Sequence, residues 1–249
     1  MNKLPQITLA FWVMKICATT LGETAGDLLS MTLDIGYALS SLLLISLFFV
    51  SLLGQLRARS YQPALYWTVI LTTSTAGTTI SDFMDRTLGL GYAAGALVLV
   101  TLLVSVLTAW RLSEKSLSVD HISSRRGELF YWGAILVSNT LGTALGDYLA
   151  DDSGLGFAGG ALMIGSMLAV VAIAYYRTKL SRVALFWIAF VLTRPFGATL
   201  GDVLTKSTEK GGLDLGTIGS SAVLASVLAV MVCMAIWAQR MAPVAVRND

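Results

Sequence analysis

One pattern of residues occurs four times along the chain, and it constrains the fold more than any other feature of the sequence. Each copy has an aromatic–Trp pair, a glycine ten residues after the tryptophan and an aspartate fifteen residues after it. The copies contain Trp12 and Asp27, Trp67 and Asp82, Trp132 and Asp147, and Trp187 and Asp202. Successive copies are 55, 65 and 55 residues apart, so the first two match the last two as a block. This spacing predicts two successive duplications and two pseudo-symmetric halves, residues 1–110 and 129–249.

Each copy continues into an apolar run that is long enough to cross a bilayer as a helix, which takes about 20 residues. The four runs are 39–56, 91–110, 156–176 and 216–238. The whole chain is 55% hydrophobic and only 13% charged, roughly half the charge of a soluble domain. The sequence therefore predicts an all-α integral membrane protein with eight transmembrane helices. The predicted units are the repeats 7–57, 62–110, 129–177 and 182–240, and a connecting loop of residues 111–128.

The charged loops predict how these helices cross the membrane. Lysine and arginine concentrate in the loops after each second helix, whereas the turn inside each repeat is acidic or mixed. Cytoplasmic loops carry an excess of Lys and Arg, so we expect both termini and the connecting loop in the cytoplasm. All four repeats then start from the same side, and such parallel repeats are related by an axis along the membrane normal. Four equivalent first helices should therefore surround a common centre.

The first helix of each repeat carries polar side chains four residues apart, which places them on one helix face. The stripes are Lys15, Thr19, Glu23 and Asp27; Ser74, Thr78 and Asp82; Asn139, Thr143 and Asp147; and Arg194 and Asp202. Small residues at i and i+4, such as Gly22 and Gly26, run beside each stripe and allow close helix approach in lipid. If the aromatic–Trp pairs lie at the cytoplasmic interface of the membrane, the aspartates lie about 22 Å further along the helix, towards the opposite interface. We expect these helices to pack in the middle of the bundle.

Glu23 falls near the bilayer midplane, where a charge costs roughly 2.5–3.5 kcal/mol on insertion scales. Its carboxylate must be protonated, paired or hydrated. Lys15 and Arg194 are the bases on the polar stripes, so a purely structural ion pair with one of them is one interpretation. Yet the five acids of the stripes face only these two bases, a formal surplus of three negative charges. We therefore expect protons or a metal ion to balance part of the surplus.

The fourth repeat departs from the others because Arg194 is followed by Pro195. A proline inside a helix removes a backbone hydrogen bond and kinks or breaks the helix. Broken helices at membrane depth often mark the binding site of transporters. We therefore expect a kinked or broken seventh helix beside the centre.

The fourfold pattern, including ATTLGETAGD at 18–27, resembles a bacterial family of four tandem two-helix membrane repeats, each with a characteristic tryptophan. The resemblance covers essentially the whole chain. It implies the repeat architecture and a location in the bacterial inner membrane. That family is known as a repeat of unknown function, so the resemblance implies no activity.

The residues themselves favour a secondary transporter that exchanges a cation, such as manganese or magnesium, against protons. The candidate metal ligands are Glu23, Asp27, Asp82, Asp147 and Asp202. The candidate assisting groups are Thr19, Thr20, Ser74, Thr75, Asn139 and Thr140, with Lys15 and Arg194 as competing internal charges. Oxygen donors of this kind suit hard divalent cations better than copper or zinc. The ion would be transported cargo, and no resident cofactor is expected.

Other functions stay open at this stage. Lys15 and Arg194 could bind an anion or a small acidic solute, or the chain could be a membrane scaffold or sensor. We expect no enzyme, because no nucleophile–base pair, metalloprotease motif or phosphate-binding loop is present. The expected partners are the lipid bilayer and a small ion or solute. The net charge of +2 indicates no nucleic-acid partner, and the sequence leaves open whether the chain acts as a homodimer.

Overall fold

The computed structural model describes residues 3–119, 122 and 124–241. All regular secondary structure in these residues is helical, as predicted. The eight long helices are α1 (Leu9–Asp27), α2 (Tyr37–Arg57), α3 (Pro63–Asp82), α4 (Tyr92–Glu114), α5 (Arg125–Asp147), α6 (Gly156–Arg177), α7 (Arg182–Thr205) and α8 (Thr217–Met241).

Five of the eight helices are long and apolar enough to cross a membrane, namely α2, α4, α6, α7 and α8. The most apolar windows of α2, α4, α6 and α8 are only 11–28% buried against the protein, whereas the window of α7 is 50% buried. Leucine, valine and phenylalanine side chains thus cover the outside of the molecule, and polar side chains lie within it. This distribution is consistent with a membrane protein.

The four odd-numbered helices form a closed inner ring. In this ring α1 packs against α3, α3 against α5, α5 against α7 and α7 against α1. Each even-numbered helix packs outside the inner helix that follows it: α2 on α3, α4 on α5, α6 on α7, and α8 on α1. The last repeat therefore contacts the first, and the polar stripes are brought towards a common axis.

Glycines set the close contacts between neighbouring inner helices. A Cβ atom at Gly77 on α3 would lie 2.9 Å from the backbone of Asn139 and Thr140 on α5. The equivalent glycines meet the equivalent residues of the next repeat: Gly22 faces Ser74, Gly142 faces Arg194, and Gly197 faces Thr19. The same register recurs at all four interfaces, so the ring is pseudo-fourfold, and packing explains the glycine stripe.

The aromatic–Trp pairs pack inside the bundle. Trp67, Trp132 and Trp187 are 0–6% exposed, and the hydroxyls of Tyr66 and Tyr131 lie 2.7 Å apart. Of the two roles open to these tryptophans, a lipid-facing belt and packing between helices, their burial supports packing for these three. They fill the N-terminal end of the inner ring.

The turn inside each repeat explains the short motif that opens each second helix. The first and third residues of DIG, GLG, GLG and DLG all adopt a positive φ, from 54° to 81°, including Asp34 and Gly36 in the first repeat. Glycine and aspartate are the residues that accept this conformation most readily. In the first three repeats a π-helical turn lies between the aspartate and this motif: Leu28–Thr32, Phe83–Thr87 and Tyr148–Asp152.

The connecting loop is shorter than predicted. Helix α4 continues to Glu114 and α5 begins at Arg125, so the linking segment is 115–124 rather than 111–128. The Ser124 hydroxyl accepts a hydrogen bond of 2.8 Å from the amide of Gly127 and caps α5. This N-cap starts the helix four residues earlier than the apolar pattern indicated.

Candidate functional site

The four repeat aspartates lie at the C-terminal ends of the inner helices, where the ring brings them together. Asp27, Asp82, Asp147 and Asp202 are only 2–4% exposed. They form two pairs, each bridged by one basic residue from the turn beyond the helix. One pair joins the second and third repeats, and the other joins the fourth and first.

Arg86 and Lys206 are the two bridging bases. The Nε atom of Arg86 lies 3.0 Å from Asp82 Oδ1, and its Nη2 atom lies 3.3 Å from Asp147 Oδ2. The Nζ atom of Lys206 lies 2.6 Å from Asp27 Oδ2 and 3.2 Å from Asp202 Oδ1. Each base is therefore shared between an aspartate of its own repeat and an aspartate of the next inner helix.

These two bases correct the charge count expected from the sequence. Arg86 and Lys206 stand four residues after Asp82 and Asp202, a spacing that pairs side chains on one helix face. With Arg194, three bases contact the five acids. The expected surplus of three negative charges is therefore wrong, and the formal surplus over the bases in contact is two.

Glu23 and Arg194 form an ion pair on the axis, one helical turn deeper than the aspartates. Arg194 is fully buried, and its Nη1 atom lies 3.0 Å from Glu23 Oε2. Its Nη2 atom donates to the hydroxyls of Thr78 and Thr143, at 2.5 Å and 2.7 Å. Both hydroxyls donate in turn to Glu23 Oε2, at 3.2 Å and 3.4 Å. Four inner helices thus meet in one network.

Three carboxylates of this region are close enough to share a cation. One oxygen atom each of Glu23, Asp147 and Asp202 lies within 4.8 Å of the other two, and all three residues are buried. Two oxygens bound to one divalent ion at 2.1–2.5 Å are at most about 5 Å apart. The three side chains come from α1, α5 and α7, so the site exists only in the assembled ring.

Lys15 lies one layer further from the aspartates than Arg194. Its Nζ atom donates a long hydrogen bond of 3.5 Å to Asn139 Oδ1 and lies 4.1 Å from the centre of the Phe190 ring. Asn139 in turn donates to the Thr73 hydroxyl at 2.9 Å. Within the described residues Lys15 contacts no carboxylate. The structure therefore separates Lys15 from the acids that it was predicted to balance.

Several predicted assisting hydroxyls do not point to the acids. Thr20, Thr75 and Thr140 each donate to the carbonyl four residues earlier in their own helix, at 2.9–3.0 Å. Thr19 donates to the carbonyls of Ile16 and Thr193. The hydroxyls that contact Glu23 belong instead to Thr78 and Thr143, which lie on the polar stripes. Their position four residues before Asp82 and Asp147 already placed these two threonines on the same helix face as the acids.

Pro195 does not break its helix. Helix α7 runs without interruption from Arg182 to Thr205, with Pro195 buried inside it. Its ring lies against Gly142 on α5, where a side chain would collide with it. Of the predicted kink or break, the break is absent, and the proline fills a contact between α5 and α7.

Comparison with known proteins agrees with the repeat pattern. No curated protein and no solved structure matches this chain. One family model matches it four times, over residues 10–61, 65–116, 130–181 and 185–241. These matches contain the four aromatic–Trp pairs and the four aspartates. The resemblance noted in the sequence is thereby confirmed, and the chain belongs to the family described as Repeat of Unknown Function (DUF347).

Proposed function

We propose that this protein is a secondary transporter for a hard divalent cation, with manganese and magnesium as the leading candidates, exchanged against protons. The observation that carries the proposal is the convergence of Glu23, Asp147 and Asp202 oxygens within 4.8 Å of one another. These acids come from three helices of a pseudo-symmetric ring, and a central site between repeats is a recurring arrangement in transporters. In this proposal the ion is cargo, and the protein is not an enzyme.

The charge balance supports a divalent cation. The five acids and the three bases that contact them leave two formal negative charges, which one divalent ion balances. Lys206 and Arg86 are the bases that could move away from the acids, because their side chains are 21% and 33% exposed, whereas Arg194 is fully buried. Movement of Lys206 towards solvent would free Asp202 for the ion.

Lys206 remains a charged competitor at ordinary pH. Burial alone would lower the pKa of Lys206, but the neighbouring carboxylates of Asp202 and Asp27 raise it above its usual value. The ammonium group is therefore protonated whenever the site is empty. In this proposal the exchanged protons are held by the carboxylates of the cluster rather than by Lys206.

The donor set favours hard ions over soft ones. The candidate site offers carboxylate and hydroxyl oxygens, which suit Mg²⁺, Mn²⁺ and Ca²⁺. Cys17 donates to the Leu224 carbonyl at 3.5 Å, in the contact between α1 and α8, and Cys233 is exposed on α8. Neither thiol is among the groups that could form the metal cluster.

An anion site at Arg194 is supported less well. Its two terminal nitrogens already donate to Glu23, two threonine hydroxyls and the carbonyls of Thr19 and Ser74. An anion would have to displace the carboxylate of Glu23, which is part of the same chain and is held beside the guanidinium by the helix that carries it. Lys15 is fully buried and lies 4.1 Å from the centre of the Phe190 ring.

The proposal includes an eight-span topology with both termini in the cytoplasm of a bacterial inner membrane. Helices α1, α3 and α5 lack the apolar composition of the other five, but they are 19, 20 and 23 residues long. The outer helices shield them, so their polar residues face the ring rather than lipid. The concentration of basic residues at one end supports the orientation.

Ion flux into proteoliposomes tests the proposal directly. Wild-type protein should move Mn²⁺ or Mg²⁺ and shift the signal of an enclosed pH-sensitive dye in the same vesicles. Asp147→Asn should lower the flux by more than roughly tenfold, since even outer-shell changes cost 10–100-fold in metal affinity. Asp151→Asn is the matched control, because Asp151 is an exposed acid in the turn beyond Asp147 and is outside the carboxylate cluster.

Three outcomes would contradict the proposal. If folded wild-type protein moves no member of a panel of divalent ions, a scaffold or sensor role becomes the better interpretation. If flux is unchanged in Asp147→Asn, the carboxylate cluster is not the site. If Arg194→Ala abolishes the uptake of acidic solutes while metals have no effect, the cargo is an anion.

A further inference from the structure

We propose that a groove between α4 and α7 binds the headgroup and upper acyl chain of one anionic phospholipid. The groove has a volume of about 410 Å³ and lies at the C-terminal end of α4 and the N-terminal end of α7. It shares no lining residue with the carboxylate cluster. The inference does not depend on the transport proposal.

Two unpaired bases form the rim of the groove. Arg111 on α4 and Lys115 immediately after α4 are exposed. Neither side chain makes an ion pair or hydrogen bond within the described residues, in contrast to Arg86, Arg194 and Lys206. Two free positive charges at the rim are complementary to an anionic ligand.

The nearest acid in the sequence does not neutralise this rim. Glu114 lies between the two bases in sequence, but its carboxyl group is directed towards α5. A Cβ atom added to Gly127 on α5 would lie 3.8 Å from the carboxyl carbon of Glu114. Glu114 is also not among the residues that line the groove. Among the described residues that line the groove, the only charged side chains are therefore basic.

The floor of the groove is apolar, and it determines the class of anion. Leu107, Val183 and Trp187 line it below the bases. Trp187 donates its Nε1 hydrogen to the Leu117 carbonyl at 3.0 Å, which fixes the linking segment as one wall. A small inorganic anion would gain nothing from this floor, whereas a phospholipid carries both a phosphate and a hydrocarbon chain. Basic pockets between transmembrane helices bind anionic lipid headgroups in this way.

Native mass spectrometry of the full-length protein, released from membranes of equal phosphatidylglycerol and phosphatidylcholine content, tests the inference. Wild-type protein should retain one phosphatidylglycerol in preference to phosphatidylcholine. Arg111→Gln/Lys115→Gln should reduce that preference by up to roughly thirtyfold, because each base near the surface strengthens the attraction to anionic lipid about fivefold. Arg57→Gln/Arg59→Gln is the matched control, since it removes two exposed bases at the C-terminal end of α2, at the same end of the bundle and outside the groove.

The inference is overturned if the two double variants lose the preference equally, because that result indicates diffuse attraction to the basic end. It is also overturned if Arg111→Gln/Lys115→Gln retains the lipid as wild-type protein does. Millimolar inorganic phosphate should leave the bound lipid in place, and displacement by phosphate would show that the groove recognises a free anion instead. Both variants change exposed side chains, so unchanged thermal unfolding is expected and is measured alongside.

Discussion

Two substitutions within an otherwise repeated pattern create the charged centre of the ring. Arg194 occupies the position that is Thr19, Ser74 and Asn139 in the other repeats, seven residues after the tryptophan. Glu23 stands eleven residues after its tryptophan, where the others have Thr78, Thr143 and Ala198. Because α1 and α7 are neighbours in the ring, these two exceptions meet as an ion pair surrounded by neutral hydroxyls.

Removal of one partner of this pair should destabilise the protein strongly. Arg194→Met leaves Glu23 buried without its counter-charge, which costs roughly 3–5 kcal/mol for buried pairs. The double variant Glu23→Gln/Arg194→Met should recover part of the loss, because no isolated charge then remains. Unfolding midpoints in detergent measure these differences.

Lys15→Met is the matched control for that cycle. Lys15 is also fully buried, but it contacts no carboxylate in the described part of the chain, so its loss should cost much less than that of Arg194. Equal destabilisation by Arg194→Met and Lys15→Met would show that the Glu23–Arg194 pair has no special weight.

At the scale of helices, the glycine stripe decides how closely the inner ring packs. Gly77 touches the backbone of Asn139 and Thr140, which cannot rotate away as a side chain could. The same register at the other three interfaces brings each polar stripe against the next helix. The distances between the carboxylates therefore depend on the contacts of the uncharged glycines beside them.

Gly77→Ala should separate α3 from α5 and lower the free energy of unfolding by roughly 1–3 kcal/mol, the usual cost of overpacking. Gly133→Ala on α5 is the matched control, because a Cβ there meets nothing within 4 Å. Since alanine favours a helix over glycine by up to about 1 kcal/mol, Gly133→Ala should be neutral or stabilising. The two variants are compared by thermal unfolding in detergent, and effects of the same sign and size would refute this account of the ring.

At the scale of the whole molecule, the repeat made much of the architecture predictable. Fixed spacing from tryptophan to glycine to aspartate indicated four equivalent helices, and the structure arranges them as a ring. The partners of the aspartates could not be predicted in the same way. Arg86 and Lys206 lie within reach of their own aspartates at i+4, but their second contacts, with Asp147 and Asp27, cross between helices. Such contacts depend on the order of helices around the ring, which one sequence does not specify.

The bridging bases also reduce the pseudo-fourfold symmetry of the ring to a pseudo-twofold one. The positions equivalent to Arg86 and Lys206 are Met31 in the first repeat and Asp151 in the third. Only the second and fourth repeats therefore supply a base, as expected from the duplication of a two-repeat unit. Each base lies between two aspartates and is partly exposed. The whole molecule therefore has two equivalent positions at which a positively charged side chain lies between two acids.

If these bases compete with a transported ion, removal of one should strengthen ion binding. Lys206→Gln deletes the ammonium group that lies 3.2 Å from Asp202 Oδ1 and leaves the carboxylate cluster intact. Charges about 4 Å apart interact by up to roughly 4 kcal/mol at an effective dielectric constant of 20. The partial exposure of Lys206 reduces this interaction energy. We therefore expect the Kd for Mn²⁺ to fall about tenfold. Isothermal titration calorimetry in detergent measures it, with Lys179→Gln, an exposed base between α6 and α7, as the control of equal charge. Equal binding by Lys206→Gln and Lys179→Gln, or weaker binding by Lys206→Gln, would mean that Lys206 holds the acids in place rather than competing with the ion for them.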